Sequence, residues 1–369
     1  MTGEAFDVAI GGGGPAGAAA AIRLARAGAR VVVIDADDHT HDKIGESLAP
    51  SARPVLERIG VWERHCAADH RPCYANRSSW GGDELETYDF LRDPHGPGWH
   101  VDRRRFEAML ASEAVRAGSR WLPRARLQRL ARARDGYWLT IGAPGRRSQI
   151  TARFVIDATG RSSRIGRSQG ARREVHDHLV ALVAFLTPEG EPLADGATLI
   201  EALADGWWYS ARLPDHRLAC AFMTDPDLLR RSGGRSPAAW AERLARSVHT
   251  RARVETSRYH LAMPPVVVAA GSAILNPVAG PGWIAAGDAA AAYDPLSSHG
   301  IVAALATGWD GAAAALAALD GEPASTEIYA GRVRRGFTRY LETRAPYYEM
   351  EARWPTSPFW RRRRPGRLP

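Results

Sequence analysis

Apolar positions follow two rhythms along this chain. Phe6 to Ile10 and Val31 to Ile34 are short continuous apolar runs, the pattern of strands buried on both faces, and between them lies an Ala-rich segment of helical length. Further on, "VDRRRFEAMLASEAVRAG" places Phe106, Met109, Leu110 and Ala114 on one helical face. From Arg126 to Asp157, apolar runs broken at Asp135-Gly136 and at Ala143 to Arg147 predict a small antiparallel hairpin set that returns to the main sheet. From about residue 175 to 270 the texture changes. "LVALVAFL", "GWWYSARLP" and "LACAFMT" follow one another with only turns between them, then an amphipathic helix is predicted near Pro237 to Val248. Strands in succession without intervening helices imply an inserted, mostly antiparallel sheet. The chain then resumes the first pattern, with an apolar strand, a polar turn, a long Ala-rich helix and a closing helix from Thr326 to Met350. No segment repeats another.

Four stretches result: 1–174, carrying the first βα units and the hairpin set; 175–270, the inserted sheet; 271–349, the return and C-terminal helices; and 350–369, a basic tail. With 369 residues, 45% hydrophobic and 24% charged, the chain can bury a substantial core in two domains or one large one. No continuous apolar run reaches membrane-spanning length, and the first residues lead directly into a strand, so the expectation is a cytoplasmic protein without membrane contact. The net charge of +8 suggests nucleic acid until it is located: Arg361 to Arg364 and Arg367 supply most of it. A terminal arginine run reads as solvated and disordered, which argues against nucleic-acid binding and leaves docking to an acidic protein surface open. Cys66, Cys73 and Cys220 lack C-x-x-C spacing and read as reduced and structural. His39 and His41 have no third ligand nearby, so they read as a solvated loop and no metal is expected.

The chemistry is carried by glycines. Gly12, Gly14 and Gly17 follow the first strand at G-x-G-x-x-G spacing, with Ala16 among them, and open the Ala-rich helix. Such a turn lets backbone N–H groups and a helix N-terminus approach a pyrophosphate. Asp35, at the end of the second strand, is placed to accept hydrogen bonds from both hydroxyls of an adenosine ribose. The strand, glycines, helix, second strand and acid in this order predict a Rossmann-type, dinucleotide-binding α/β domain. Two further turns, Asp157 to Gly160 and Gly287-Asp288, also follow apolar strands, so all three are expected at one sheet edge. Arg103, at a helix start, reads either as a phosphate or ribose ligand or as a solvated residue.

Taken together, "GGGGPAG", "GES" at Gly45 to Ser47, "DATG" at Asp157 to Gly160, "AAGDAA" around Gly287-Asp288 and "DPLSSHGI" at Asp294 to Ile301 resemble the FAD-dependent aromatic monooxygenases, in the branch that includes the flavin-dependent halogenases. The resemblance covers essentially the whole chain and implies FAD as cofactor. It implies that Asp288 contacts the ribityl chain, that Pro295, Ser297, Ser298, Gly300 and Ile301 lie beside the isoalloxazine, and that Lys43, Glu46, Ser47, Arg103, Asp157, Gly160 and Gly287 belong to the cofactor site. Two departures argue against halogenation. Halogenases carry an active-site lysine downstream of "GES", whereas the only lysine here, Lys43, precedes it. Indole halogenases place a glutamate before the serine of the proline-rich flavin stretch, where this chain has Ser297, and their W-x-W-x-I-P signature is replaced by "GWWYSARLP".

The implied activity is hydroxylation of an electron-rich aromatic ring through a flavin C4a-hydroperoxide, reduced by NAD(P)H or by a flavin reductase. Trp207, Trp208 and Tyr209 are candidates to line the ring's cavity, although neighbours on a strand point to opposite faces, and His299 is a candidate proton relay. Within the superfamily the chain looks most like the short flavoproteins that help mature enzymes bearing a cysteine tryptophylquinone. That likeness implies a tryptophan residue of a precursor protein as substrate. The competing readings are a hydroxylase of a free small aromatic, a flavin-dependent isoprenoid reductase and a non-catalytic FAD-bearing chaperone.

Overall fold

The computed structural model describes residues 4–191 and 195–364. In the first of its two large sheets, five parallel strands lie side by side in the order Trp283–Ala285, Arg146–Asp157, Glu4–Gly11, Val31–Ile34 and Arg120–Leu122. Val8, Ile10, Val32 and Ile156 are fully buried, which is why these strands read as unbroken apolar runs. The helices Pro15–Arg26, Arg103–Arg116 and Gly300–Leu319 pack together over this sheet. In the parallel register Gly11 pairs with Ile34 on one side and Asp157 on the other, and Asp157 pairs with Ala285. Equal register puts the three carboxyl ends level, so the turns after them converge. The hairpin set is as predicted: Gly136–Ala143 runs antiparallel to both Arg126–Ala133 and Arg146–Asp157.

The second sheet runs Tyr259–Leu261, Val180–Pro188, Leu218–Thr224, Gly206–Arg212, Thr198–Leu203, Ala75–Ser79 and Glu86–Asp89, with Val266–Ala269 also paired to Val180–Pro188. Its pairings are antiparallel apart from the one between Thr198–Leu203 and Ala75–Ser79. Two of its strands therefore come from the stretch before residue 174, about which local pattern carries no information. One face is covered by the helices Pro226–Arg231, Pro237–Ala245 and His249–Thr256, which bury Trp208, Phe222 and Trp240. The other face bears Ala181, Val183, Ala221 and Met223 and turns toward the first sheet.

Two expectations need correction. Although Gly300–Leu319 is long and apolar enough to cross a membrane, it lies packed on Pro15–Arg26, its apolar surface answering burial between layers. Of the C-terminal arginines, Arg361 is exposed as expected, but Arg362 and Arg363 are held in place. Phe359 and Trp360 are fully buried against the second sheet, Arg363 pairs with Asp225 at 2.6 Å, and Arg362 pairs with Asp225 and Asp227 at 2.7 and 2.8 Å. The two aromatics just before the arginine run anchor it, and the charges reach acids at the start of the helix Pro226–Arg231. Arg367 lies outside the described residues.

Candidate functional site

The first turn is glycine by necessity. Gly12 has φ +101°, and a Cβ there would collide with the Ala158 carbonyl, while a Cβ at Gly17 would collide with the carbonyl of Gly12. Above the converging turns lies a cavity of about 460 Å³, floored by the first sheet's carboxyl edge and roofed by the second sheet. Of the residues expected at the site, Gly14, Ala16, Lys43, Glu46, Ser47, Arg103, Gly160, Asp288, Pro295, Ser298, Gly300, Ile301 and Tyr209 line it. The roof is nearly devoid of polar side chains: Ala181, Val183, Ala221, Met223 and Val268.

The arrangement suits an extended dinucleotide. Gly14 and Gly300 border the cavity, and a Cβ on either would meet no protein atom within 4 Å, so the missing side chains leave room for a ligand. Asp35 Oδ2 is buried beside the glycine turn, where a Cβ on Gly13 would strike it, and it faces His39 Nε2 at 3.3 Å.

A charge cluster borders this end of the cavity. Lys43 is held by Glu107 and, at 2.8 Å, by Asp37; Arg103 pairs with Glu107 and donates to the carbonyl of Ile44 at 2.8 Å. His39 lies between Asp35 at 3.3 Å and Glu107 at 3.4 Å, with its side chain 8% exposed. It is therefore no solvated loop residue. Burial would lower its pKa, but the Asp35 and Glu107 carboxylates outweigh burial and raise it from 6.5 to about 9. The Glu107 carboxyl, despite its own burial, is held well below the usual range by Arg103, His39 and Lys43. Sequence pattern missed Glu107 because it reads as one more polar position on an amphipathic helix; only its i, i+4 spacing from Arg103 signalled a partner.

At the boundary of floor and roof, the Tyr209 hydroxyl stands 2.7 Å from Ser47 Oγ and lies beside the Glu46 carboxyl. Burial pushes the Glu46 pKa up, against the opposing pull of Tyr209, Arg103 and nearby backbone N–H groups. Burial and Glu46 together raise that of Tyr209 well above 10. Asp288 lies 3.3 Å from Arg161, and burial raises its pKa too. The Asp294 to Ser298 segment is fixed from behind: Asp294 caps its own turn through the N–H of Leu296 and accepts from the Tyr348 hydroxyl at 2.7 Å.

Other expected residues stand elsewhere. Gly12 and Gly17 shape the turn beneath the cavity, and Gly287 donates its N–H to the Thr307 hydroxyl. Ser297 bonds the carbonyl of Asp294. Asp157 is corrected: its carboxylate is consumed by the Thr159 N–H and hydroxyl and the Gly166 N–H, so it ties its own loop and does not border the cavity. Trp208 is corrected as well. Strand alternation turns it away from the cavity into the helix-covered core, against Trp240 at 4.9 Å and Phe222 at 5.0 Å. His299 does not reach the cavity lining either; it is exposed, with its ring turned back onto the carbonyl of Ser297.

A Rossmann-type floor with a glycine cradle, an antiparallel roof and a shared cavity define a flavin-dependent enzyme. Residues 5–253 match the family described as FAD binding domain, and the chain belongs to it. It is 27% identical over 367 residues, 98% of this chain and 97% of the relative, to LodB of Marinomonas mediterranea, whose name describes an FAD-dependent oxidoreductase. To the tryptophan 2-halogenase of Chondromyces crocatus it is 25% identical, over 95% of this chain and 69% of that protein. Among solved structures, the myxobacterial chondrochloren halogenase CndH superposes with a TM-score of 0.90 at 24% identity, covering 98% and 86% of the two chains. The peptidyl tryptophan dihydroxylase QhpG, essential for tryptophylquinone cofactor biogenesis, superposes at 0.77 with 24% identity, covering 98% and 79%. The protein is an FAD-dependent enzyme, similar to an FAD-dependent oxidoreductase and to flavin-dependent halogenases.

Proposed function

We propose that this enzyme hydroxylates an electron-rich aromatic ring, and that the ring is a tryptophan side chain of a precursor protein. The observation that carries hydroxylation over halogenation is the state of Lys43. The chain's single lysine is held between the Glu107 and Asp37 carboxylates at the cofactor end of the cavity, which makes it a salt-bridge partner and not a free amine. The choice of substrate draws on the likeness to the peptidyl tryptophan dihydroxylase QhpG over nearly the whole chain.

In this reading the Gly12 to Gly17 turn and the helix N-terminus behind it hold the pyrophosphate of FAD, and Asp35 accepts from the ribose. Lys43 and Arg103 balance charge nearby, Asp288 holds the ribityl chain, and Pro295, Ser298, Gly300 and Ile301 border the isoalloxazine. Reduced by NAD(P)H or by a flavin reductase, bound FAD supplies the reaction of dioxygen with the ring: one oxygen atom enters a ring C–H as hydroxyl, and the other leaves as water. The roof residues Ala181, Val183, Ala221, Met223 and Val268 exclude water and leave space for a flat ring. Tyr209, tied to Ser47, supplies a polar contact in that wall. Asp294, braced by Tyr348, keeps the flavin-side segment in place.

The test is incubation of FAD-loaded protein with reductant, dioxygen, bromide and either a tryptophan-bearing precursor or a free indole, read by mass spectrometry. A gain of one oxygen on the precursor is expected. A brominated product refutes hydroxylation, and oxygen on the free indole alone refutes the precursor.

A further inference from the structure

We propose that Glu46 sets substrate specificity: one oxygen of its carboxyl accepts a hydrogen bond from a donor on the substrate ring, so the cavity selects donor-bearing rings over rings of the same shape without one. The inference rests on the reading of the chain as an aromatic hydroxylase, and it concerns a residue expected from resemblance to serve only the cofactor.

Glu46 is 2% exposed and belongs to the cavity wall where floor meets roof. Its Oε2 is buried and has no hydrogen-bond partner. Around it, the Tyr209 hydroxyl stands 2.7 Å from Ser47 Oγ, Nη1 and Nη2 of Arg103 are taken by the carbonyls of Ile44 and Gly45 and by Glu107, and Ala181, Val183, Ala221 and Met223 of the roof carry no side-chain donor.

Burial favours the neutral carboxyl over the charged one. A neutral Glu46 keeps one carboxyl oxygen as an acceptor, and Oε2, which has no partner, belongs to the wall at the foot of the apolar roof. An acceptor buried in this way discriminates strongly, because a ring without a donor displaces water and leaves the oxygen unpaired. An indole N–H and a phenol O–H both supply the required chemistry.

The experiment uses FAD-loaded protein and two matched probe pairs, 3-methylindole with 3-methylbenzothiophene and p-cresol with toluene. Affinities are read from the change in the visible flavin spectrum, without turnover. Wild type is expected to bind the donor-bearing member roughly ten- to a hundredfold more tightly. Whichever pair shows the larger preference distinguishes indole from phenol. Glu46→Gln keeps an acceptor oxygen and should keep a preference of the same sign; Glu46→Leu should bring both members of a pair to within about twofold. Equal affinities in wild type overturn the inference and leave hydroxylation standing, as does a preference that survives in Glu46→Leu. If both variants instead lose FAD while wild type holds it, the donor belongs to the cofactor and the inference falls. Failure of loaded wild type to bind any probe refutes the aromatic substrate itself, and the inference with it.

Discussion

His39 makes stability depend on alkaline pH in a way that can be calculated. Its imidazolium is clamped between Asp35 and Glu107, which raises its pKa from 6.5 to about 9. A folded-state value above the unfolded one means that the native protein holds a proton the unfolded chain has released. The stabilisation is therefore complete below pH 6.5 and is lost as pH rises through about 9. At about 1.4 kcal/mol per pH unit, that interval sets an upper bound of roughly 3 kcal/mol. Residue 39 has φ +59°, a conformation asparagine tolerates, so His39→Asn removes the charge without forcing the backbone. Urea denaturation of wild type and His39→Asn from pH 6 to pH 10 isolates the effect, since other titrating groups cancel in the difference. The variant should be less stable by up to roughly 3 kcal/mol at pH 6, and the gap should close by pH 10. A gap that stays constant with pH would refute the clamp.

Three further outcomes follow from the same geometry. Gly14→Ala should fold with an unchanged apoprotein melting temperature, because φ is −67° there and the new methyl meets no protein atom, yet it should weaken FAD binding about tenfold or more by occupying the cradle, as flavin fluorescence titration would show. Arg363→Ala should cost about 3 kcal/mol in urea denaturation by leaving Asp225 buried with a weakened partner set; a solvated tail would give less than about 0.5 kcal/mol. His65 and His70 are buried neutral beside each other with no partner on any ring nitrogen, and burial lowers their pKa values to about 3 and 4. Because the unfolded chain takes up protons that the folded one refuses, stability should fall as pH drops below 6.5, and His65→Phe should flatten that fall in an acid-denaturation series.

What was legible without coordinates is what nearest neighbours along the chain decide. A buried strand must be apolar throughout, a tight phosphate turn must carry glycine, and an acid must end the next strand, so the dinucleotide-binding floor with Gly12 to Gly17 and Asp35 could be read from order and spacing, whereas the flavin and the role of Asp288 were implied by resemblance. The successive strands of the roof were visible for the same local reason. What only tertiary structure decided is which distant groups meet. Strand parity alone says that Trp208 and Tyr209 diverge, but which one faces the cavity depends on where the helices Pro237–Ala245 and His249–Thr256 come to rest. The carboxylate of Asp157, by its motif a cofactor ligand, is consumed by Thr159 and Gly166, and the ring of His299 is turned back onto Ser297. Arg362 and Arg363 of the tail look solvated until the burial of Phe359 and Trp360 brings them against Asp225. In the same way His39, read from sequence as a solvated loop residue, and Glu107, unremarked there, become partners through packing. Charge acquires its meaning from distance and burial, and those are properties of the packed layers.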